Sequence, residues 1–231
     1  MRAVIQRWII CLCGGMLFPF AEAQVVQRGV VLEMNSGNRL LAGVEIRATG
    51  AAPSDSDQEE HNVKVTFFMT GGWVTDHPDC VKELVKRGHD LGNHSEHHYD
   101  MTTISHSEQE AELNSVHDRV KELTGYEMFL FRPPYGAYDN AVIKTAYQMN
   151  YYPIQWSVDS LDWKDYGVDS IIDTVCNHKA LGPGAIILCH NGAKYTAEAL
   201  DTMLTQLEEK GYTIVPISEL IMRENYHMDV A

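Results

Sequence analysis

Positive charge is scarce in this chain. Lys and Arg number 18 against 32 Asp and Glu, a formal charge of −14. That balance excludes an electrostatic grip on nucleic acid or on an anionic membrane; neutral substrates stay compatible. Long apolar runs are also missing. The longest, residues 8–20, has about 13 residues where a bilayer-spanning helix needs ~20, which excludes stable membrane insertion. A disulfide framework is absent too. Of five Cys, Cys11 and Cys13 fall within that early run, and Cys80, Cys176 and Cys189 remain, an odd set without framework spacing. These read as buried thiols. No internal repeat is evident, and the only biased tract is the acidic stretch 51–61.

Export is the expectation for the first residues. Arg2 and Arg7 supply a positive flank, the apolar run comes next, and Ala21-Glu22-Ala23 gives the small-x-small cleavage pattern. Residues 1–23 are therefore read as a signal peptide. Its removal would leave the chain secreted, periplasmic or in the cell envelope. A lipoprotein reading meets Ile10 and Leu12 before the two early Cys, where a small residue is needed. Residues 24–50 form a short β-like segment: runs 25–34 and 41–48 flank Asn35-Ser36-Gly37-Asn38, which reads as a hairpin or tight loop. Residues 51–62 read as an acidic linker.

From Val63 the pattern changes to strand–helix alternation. Strand candidates are 63–69, a short run from Leu91, 128–131, 151–156, 185–188 and 212–217. Helices are expected near Pro78, from Ser105 (with Glu108 at capping-box spacing), and over 139–149, 170–179 and 196–210. Such alternation predicts an α/β fold with a parallel sheet or barrel, whose reactive groups gather at the carboxyl ends of the strands.

Four clusters fall at those ends. The first is Asn93-His94-Ser95-Glu96-His97-His98, in which His94 and His98, four apart, would share one face of a helical turn and suit a divalent ion such as zinc. An exposed, unrelated His pair is the bland alternative, and His97 and Glu96 read as bystanders. In Arg132-Pro133-Pro134-Tyr135 two prolines stiffen the backbone after a strand, as a fixed guanidinium and a fixed N–H would require. A stiff surface loop is its alternative. Asp162-Trp163 pairs a carboxylate with an aromatic wall, or is a plain acidic turn. His190, after Leu188-Cys189, is a catalyst or a satisfied core residue.

In this order the clusters resemble the polysaccharide deacetylases of the NodB-homology group, carbohydrate esterase family 4, over roughly residues 63–224. Val65-Thr66-Phe67-Phe68-Met69-Thr70-Gly71 and Arg87-Gly88-His89-Asp90-Leu91-Gly92-Asn93-His94-Ser95 add to the likeness. The resemblance implies a distorted, incomplete (β/α) barrel and a hydrolase that removes N- or O-acetyl groups from an acetylated glycan with a divalent metal, most often zinc. It implies His94 and His98 as metal ligands and Arg132 as the residue that orients a catalytic carboxylate. It makes the Tyr135 N–H an oxyanion donor, Asp162 the partner that tunes the catalytic His, Trp163 and Leu188 the walls of the acetyl pocket, and His190 the general acid.

One part is missing. The family opens with a strand ending in Thr-Phe-Asp-Asp-Gly, one Asp serving as general base and the other as third metal ligand. No strand-borne Asp pair precedes the first cluster; Asp55 and Asp57 lie in a polar stretch, and residues 25–57 do not look like the missing barrel unit. The segment 29–46 looks loosely like a carboxypeptidase-regulatory-like β-sandwich module. The expectations are thus weakened metal affinity and doubtful activity. The alternative is a non-catalytic carbohydrate-binding relative or a rearranged inactive fragment.

Overall fold

Strands flanked on both sides by parallel neighbours need continuous apolar runs, because both faces are covered. The computed structural model, which describes residues 28–34, 61 and 63–221, has such strands. They are β1 (Arg28–Met34), β2 (Thr66–Met69), β3 (Asp90–Asn93), β4 (Leu130–Phe131), β5 (Tyr152–Pro153), β6 (Val158–Asp159), β7 (Ile186–His190) and β8 (Ile214–Val215). All pairings are parallel, in the order β5-β4-β3-β2-β1-β7-β6, with β8 on the first two residues of β1. Among the described residues β5 and β6 do not pair, so the sheet forms a distorted, incomplete (β/α) barrel.

Helices α1 (Gly71–Asp76), α2 (Pro78–Lys86), α3 (His106–Thr124), α4 (Asn140–Gln148), α5 (Val168–Cys176), α6 (Thr196–Glu209) and α7 (Ile217–Ile221) supply the crossovers and the plug. α3 starts where its capping box requires: Ser105 and Glu108 exchange both bonds, and Gly125, at φ 73°, ends the helix. α1 has no counterpart in the sequence pattern. Its six residues carry no helical period, and burial of Trp73 and Val74 decides it. The run 212–217 divides into β8 and the start of α7, because the Ile217 N–H donates to Thr66 Oγ1 (2.8 Å) and the Ser218 N–H to Asp90 (2.8 Å).

Side-chain alternation sorts the sheet into two faces. Phe67, Met69, Leu91, Phe131, Ile187 and Cys189 pack with helix residues such as Leu113, Val116 and Leu200. Phe68, Leu130 and Ile154 pack with Ile217 and Ile221 in a smaller inner cluster, and Ile186 leans on it. The inner phase therefore runs on to His94 after Gly92, to Arg132 after Leu130 and to His190 after Leu188. Three residues from distant sequence positions reach the same end of the barrel for this reason.

The N-terminal segment corrects one expectation. β1 is not part of a separate β module: Met34 pairs with Met69 of β2, and Glu33 pairs with Phe68 and with His190 of β7. Gly29-Val30-Val31-Leu32 is the continuous run that a central strand needs. A polar, Gly-containing stretch after it ends a parallel strand as well as it makes a hairpin. The strand of the barrel unit thought missing is therefore present. The expected signal peptide, the turn 35–38, the run 41–48 and most of the acidic linker lie outside the described residues. His61, near the linker's end, bonds Glu208 (2.9 Å) and Asp201 (3.2 Å) on α6.

Beneath the sheet, buried His89 accepts the Val65 N–H on Nδ1 (3.2 Å). Burial first, then Lys64 and Arg87, lower its pKa from 6.5 to about 4. A depressed folded pKa means stability that is complete above pH 6.5 and lost as pH falls toward 4. Urea unfolding from pH 7 to 4.5 should show a loss of roughly 2–3 kcal/mol. His89→Gln, which keeps an acceptor but cannot titrate, should flatten that slope.

Candidate active site

The first cluster is held by its leading residue. Asn93 Nδ2 donates to Leu113 O (2.8 Å) and Tyr151 Oη (3.0 Å), while Oδ1 accepts the Ser95 N–H (3.0 Å). Both amide hydrogens thus tie the loop to α3 and the core, and the oxygen holds the loop's own backbone. The expected helical turn is absent. Ser95 (φ 66°) and His98 (φ 58°) reverse the chain, and the His98 N–H donates to Ser95 Oγ (3.0 Å). Gly92 does not take part in the reversal; it lies in β3, where a Cβ would stand 2.4 Å from the Phe68 ring. The two imidazoles still meet. His94 Nδ1 donates to Arg132 O (2.8 Å), which leaves Nε2 with its lone pair, and that atom lies 3.1 Å from His98 Nε2. Two ligands at ~2.0–2.1 Å from a tetrahedral zinc lie about 3.3 Å apart, so the pair fits half of such a set. Among the described residues, no group of three His, Cys, Asp or Glu is placed to hold an ion.

The other residues of the cluster turn elsewhere. Glu96 makes a two-pronged pair with Arg119 (3.0 and 3.1 Å), and His97 Nδ1 bonds Glu112 (2.7 Å). Both behave as bystanders to the His94–His98 pair.

Arg132 is fully buried. Its guanidinium lies over the rings of Phe68 (4.6 Å) and Trp156 (5.2 Å) and bonds Ile154 O and Gln155 O at 3.4 Å. Pro133 and Pro134 lead into Tyr135 at φ 60°, a left-handed conformation in a bulky residue. This kink exposes the Tyr135 ring and sets it edge-on to His98, with centroids 4.6 Å apart. Gly136 at φ 65° comes next, where a Cβ would stand 2.6 Å from the Trp156 ring. Prolines and kink together fix the backbone beside the His pair.

Across the barrel end, Asp162 is fully buried and entirely engaged. Oδ1 accepts from His190 Nδ1 (2.7 Å); Oδ2 accepts the His190 N–H (2.6 Å) and Thr196 Oγ1–H (2.7 Å). Burial opposes its charge, but the bonds from His190 and Thr196 prevail and hold its pKa below the ordinary carboxylate value. Leu188 is buried two residues before His190 on the same strand face, and Trp163 is half exposed beside Asp162. The structure thus brings His94, His98, Arg132 and Tyr135 into one group and Asp162, His190 and Leu188 into another. Between their strands lie β2 and β1, so Met34 ends its strand in the gap.

The residues directly after β1 carry no carboxylate and so do not stand out in the sequence. Asn35-Ser36-Gly37 succeeds Met34 in the sequence, two small polar residues and a Gly after a strand. That pattern is the available signal. Thr196, which shares Asp162 with His190, escapes sequence reasoning as well, since it reads only as a helix start.

The model of the family described as polysaccharide deacetylase matches residues 58–154. The peptidoglycan-N-acetylmuramic acid deacetylase PdaA of Bacillus subtilis is 36% identical over 178 residues, 74% of this chain and 65% of that protein. The chain thus spans just under two thirds of that relative's length. The solved structure of PdaA, a family 4 carbohydrate esterase, superposes with TM-score 0.73 at 32% identity, covering 85% of this chain and 80% of that one. A family 4 pseudoenzyme from Bacillus anthracis superposes with TM-score 0.74 at 33% identity, over 85% of this chain and 66% of that one, and a mutant of it is described as having restored enzymatic activity.

Proposed function

Because this chain belongs to the NodB-homology polysaccharide deacetylases, carbohydrate esterase family 4, we propose that its barrel end binds an acetylated glycan outside the cytoplasm and hydrolyses an acetyl group from it. The observation that carries this reading is the facing arrangement. The His94 and His98 Nε2 atoms stand 3.1 Å apart, and His190, whose Nδ1 is held by buried Asp162, keeps the same inward phase. We assign His94 and His98 to a divalent cation, zinc being the ion that suits two imidazoles. When bound, such a cation polarises the acetyl carbonyl and lowers the pKa of a ligated water.

The chain's own residues do the rest. The Tyr135 N–H, fixed by Pro133, Pro134 and the kink at φ 60°, would donate to the oxygen on which negative charge develops. Leu188 and Trp163 would enclose the methyl group. Asp162 keeps the proton of His190 on Nδ1 and stabilises the charged ring, so that Nε2 can deliver a proton to the departing amine. Water oxygen joins the acetyl carbon, the carbon–nitrogen bond breaks, and acetate and a free amine leave. Arg132 would orient a carboxylate base, and no such base stands with the His pair among the described residues. Turnover should therefore be slow.

A second reading, a non-catalytic glycan-binding relative, is favoured by that same shortage and by the similarity to the Bacillus anthracis pseudoenzyme. Calorimetric zinc titration should give one weak site that His94→Ala removes. Acetate release from N-acetylated oligosaccharides should be zinc-dependent and fall about 10²-fold or more in His190→Ala. Zinc binding without acetate release would decide for the binding protein, and failure of the chain to take up zinc would end the hydrolase reading.

A further inference from the structure

Glu112 is a carboxylate in an unusual place. It lies in α3 at 7% exposure, and burying a charge is costly unless its hydrogen bonds are made. Both of its oxygens are engaged by one residue. Oε2 accepts the His97 N–H (2.8 Å), and Oε1 accepts from His97 Nδ1 (2.7 Å). The His97 side chain is otherwise exposed, and the residue directly precedes His98 in the chain. Its ring stacks on that of Tyr99, with centroids 5.2 Å apart and 19° between the planes. The residues on either side of His98 are therefore held to each other, and one of them is held to α3.

The loop requires such holding. Ser95 (φ 66°) and His98 (φ 58°) are left-handed non-glycine residues, which persist only where the surroundings over-determine them. One face of α3 provides those surroundings. Arg119, about two turns beyond Glu112, donates to both Glu96 oxygens (3.0 and 3.1 Å) and to Gly71 O (2.8 Å). The Gly71 N–H in turn donates to Ser95 O (3.1 Å). A Cβ at Gly71 would collide with the Glu96 carboxylate, so that close approach needs glycine. Of the two α3 side chains, Arg119 takes hold of a loop side chain and Glu112 of the loop backbone. The two residues between Ser95 and His98 ligate nothing, yet both anchor the turn.

We propose that Glu112 is a positioning residue for the His94–His98 pair. By fixing the His97 N–H it holds the left-handed turn at His98, and so keeps the two Nε2 atoms at a spacing that one ion can share. This deepens the reading that the pair holds a divalent cation, and rests on it. The role demands reach, not charge. Glu112→Gln keeps the length and the acceptor: its amide oxygen can take the His97 N–H, and its NH₂ can donate to Nδ1 once the ring proton moves to Nε2. Glu112→Asp keeps the charge but is one methylene shorter, a bond of about 1.5 Å.

Three measurements on the full chain test this: calorimetric titration with zinc alone, backbone Cα chemical shifts of Ser95 and His98 in the metal-free protein, and urea unfolding. Glu112→Asp should lose about tenfold or more in zinc affinity, the scale of a lost outer-shell partner. The Cα shifts of Ser95 and His98 should leave their left-handed values in the same variant. Glu112→Gln should stay within about threefold of the native affinity, because its bonds are weakened without being broken, and both shifts should stay in place. The reverse order of affinities would mean that the carboxylate acts by its charge, and would overturn the proposal. Native affinity and native shifts in Glu112→Asp, with only the urea midpoint lowered, would reduce Glu112 to a structural residue and overturn it equally. If the native chain takes up no zinc, the cation reading falls, while the Cα shifts still decide whether Glu112 holds the turn.

Discussion

Asp162→Ala should cost about 3–5 kcal/mol of folding stability, the range for removing one partner from a buried ionic pair. It is the largest loss expected from a single truncation at the site. The side chain is fully buried and accepts three hydrogen bonds, two from His190 and one from Thr196. Alanine would strand all three donors away from water. Urea unfolding at pH 7 measures it. Asp162→Asn is the informative companion. Its amide oxygen can still accept from the His190 N–H and Thr196, but its NH₂ would then face His190 Nδ1, which must become an acceptor and pass the proton to Nε2. The variant should fold, and imidazole nitrogen shifts in NMR should report the change of tautomer. An unchanged tautomer would mean that Asp162 does not set the ring. Because its folded pKa lies below the ordinary carboxylate value, the contribution of Asp162 is present above that ordinary value and is lost only as pH falls through the lower one. Acid weakening nearer neutrality belongs to His89.

The legible parts of this fold are those where local chemistry and packing agree. α3 begins at Ser105 because its capping box is complete in the sequence, and α6 stops at Gly211 because a left-handed residue is needed there, at φ 80°. The four clusters are legible because short apolar runs precede them, and parallel strands deliver the residues after those runs to one end. The failures have physical causes too. The His94–His98 spacing suggests a helix, yet i, i+4 proximity is reached through two left-handed residues, which sequence periodicity does not encode. Gly92 is a bare patch of strand under Phe68, a packing role that periodicity does not encode. β6 is two residues long, too short for alternation to register. β1 is misplaced by sequence reasoning because the stretch after it has turn chemistry. Only pairing with β2 and β7, which are far away in sequence, makes it the centre of the sheet.

Placing β1 there gives the largest gain predicted for this chain. Converting Asn35 and Ser36 together to Asp should raise zinc affinity more than about a hundredfold, the most that losing an outer-shell partner of a metal ligand usually costs. It should also raise acetate release by about 10²–10⁴, the usual worth of a positioned base. The placement rests on register and chain connectivity. Met34 is level with Met69, and Met69 with Asn93, so the next residue of β3's chain is His94. One position earlier, Glu33 is level with His190. Met34 ends β1 between the strands that deliver the imidazole pair and the acid, and Asn35 follows it in the sequence. Glu33, the carboxyl-bearing residue of β1 in register with His190, provides the control. If native zinc binding survives Glu33→Gln and the double Asp variant still gains, the new carboxylates supply the missing ligand and base. If the double variant folds with the stability of the native chain and gains neither affinity nor turnover, β1 does not occupy the role assigned to it. The shortage of a base would then have another origin than the two residues that come after Met34.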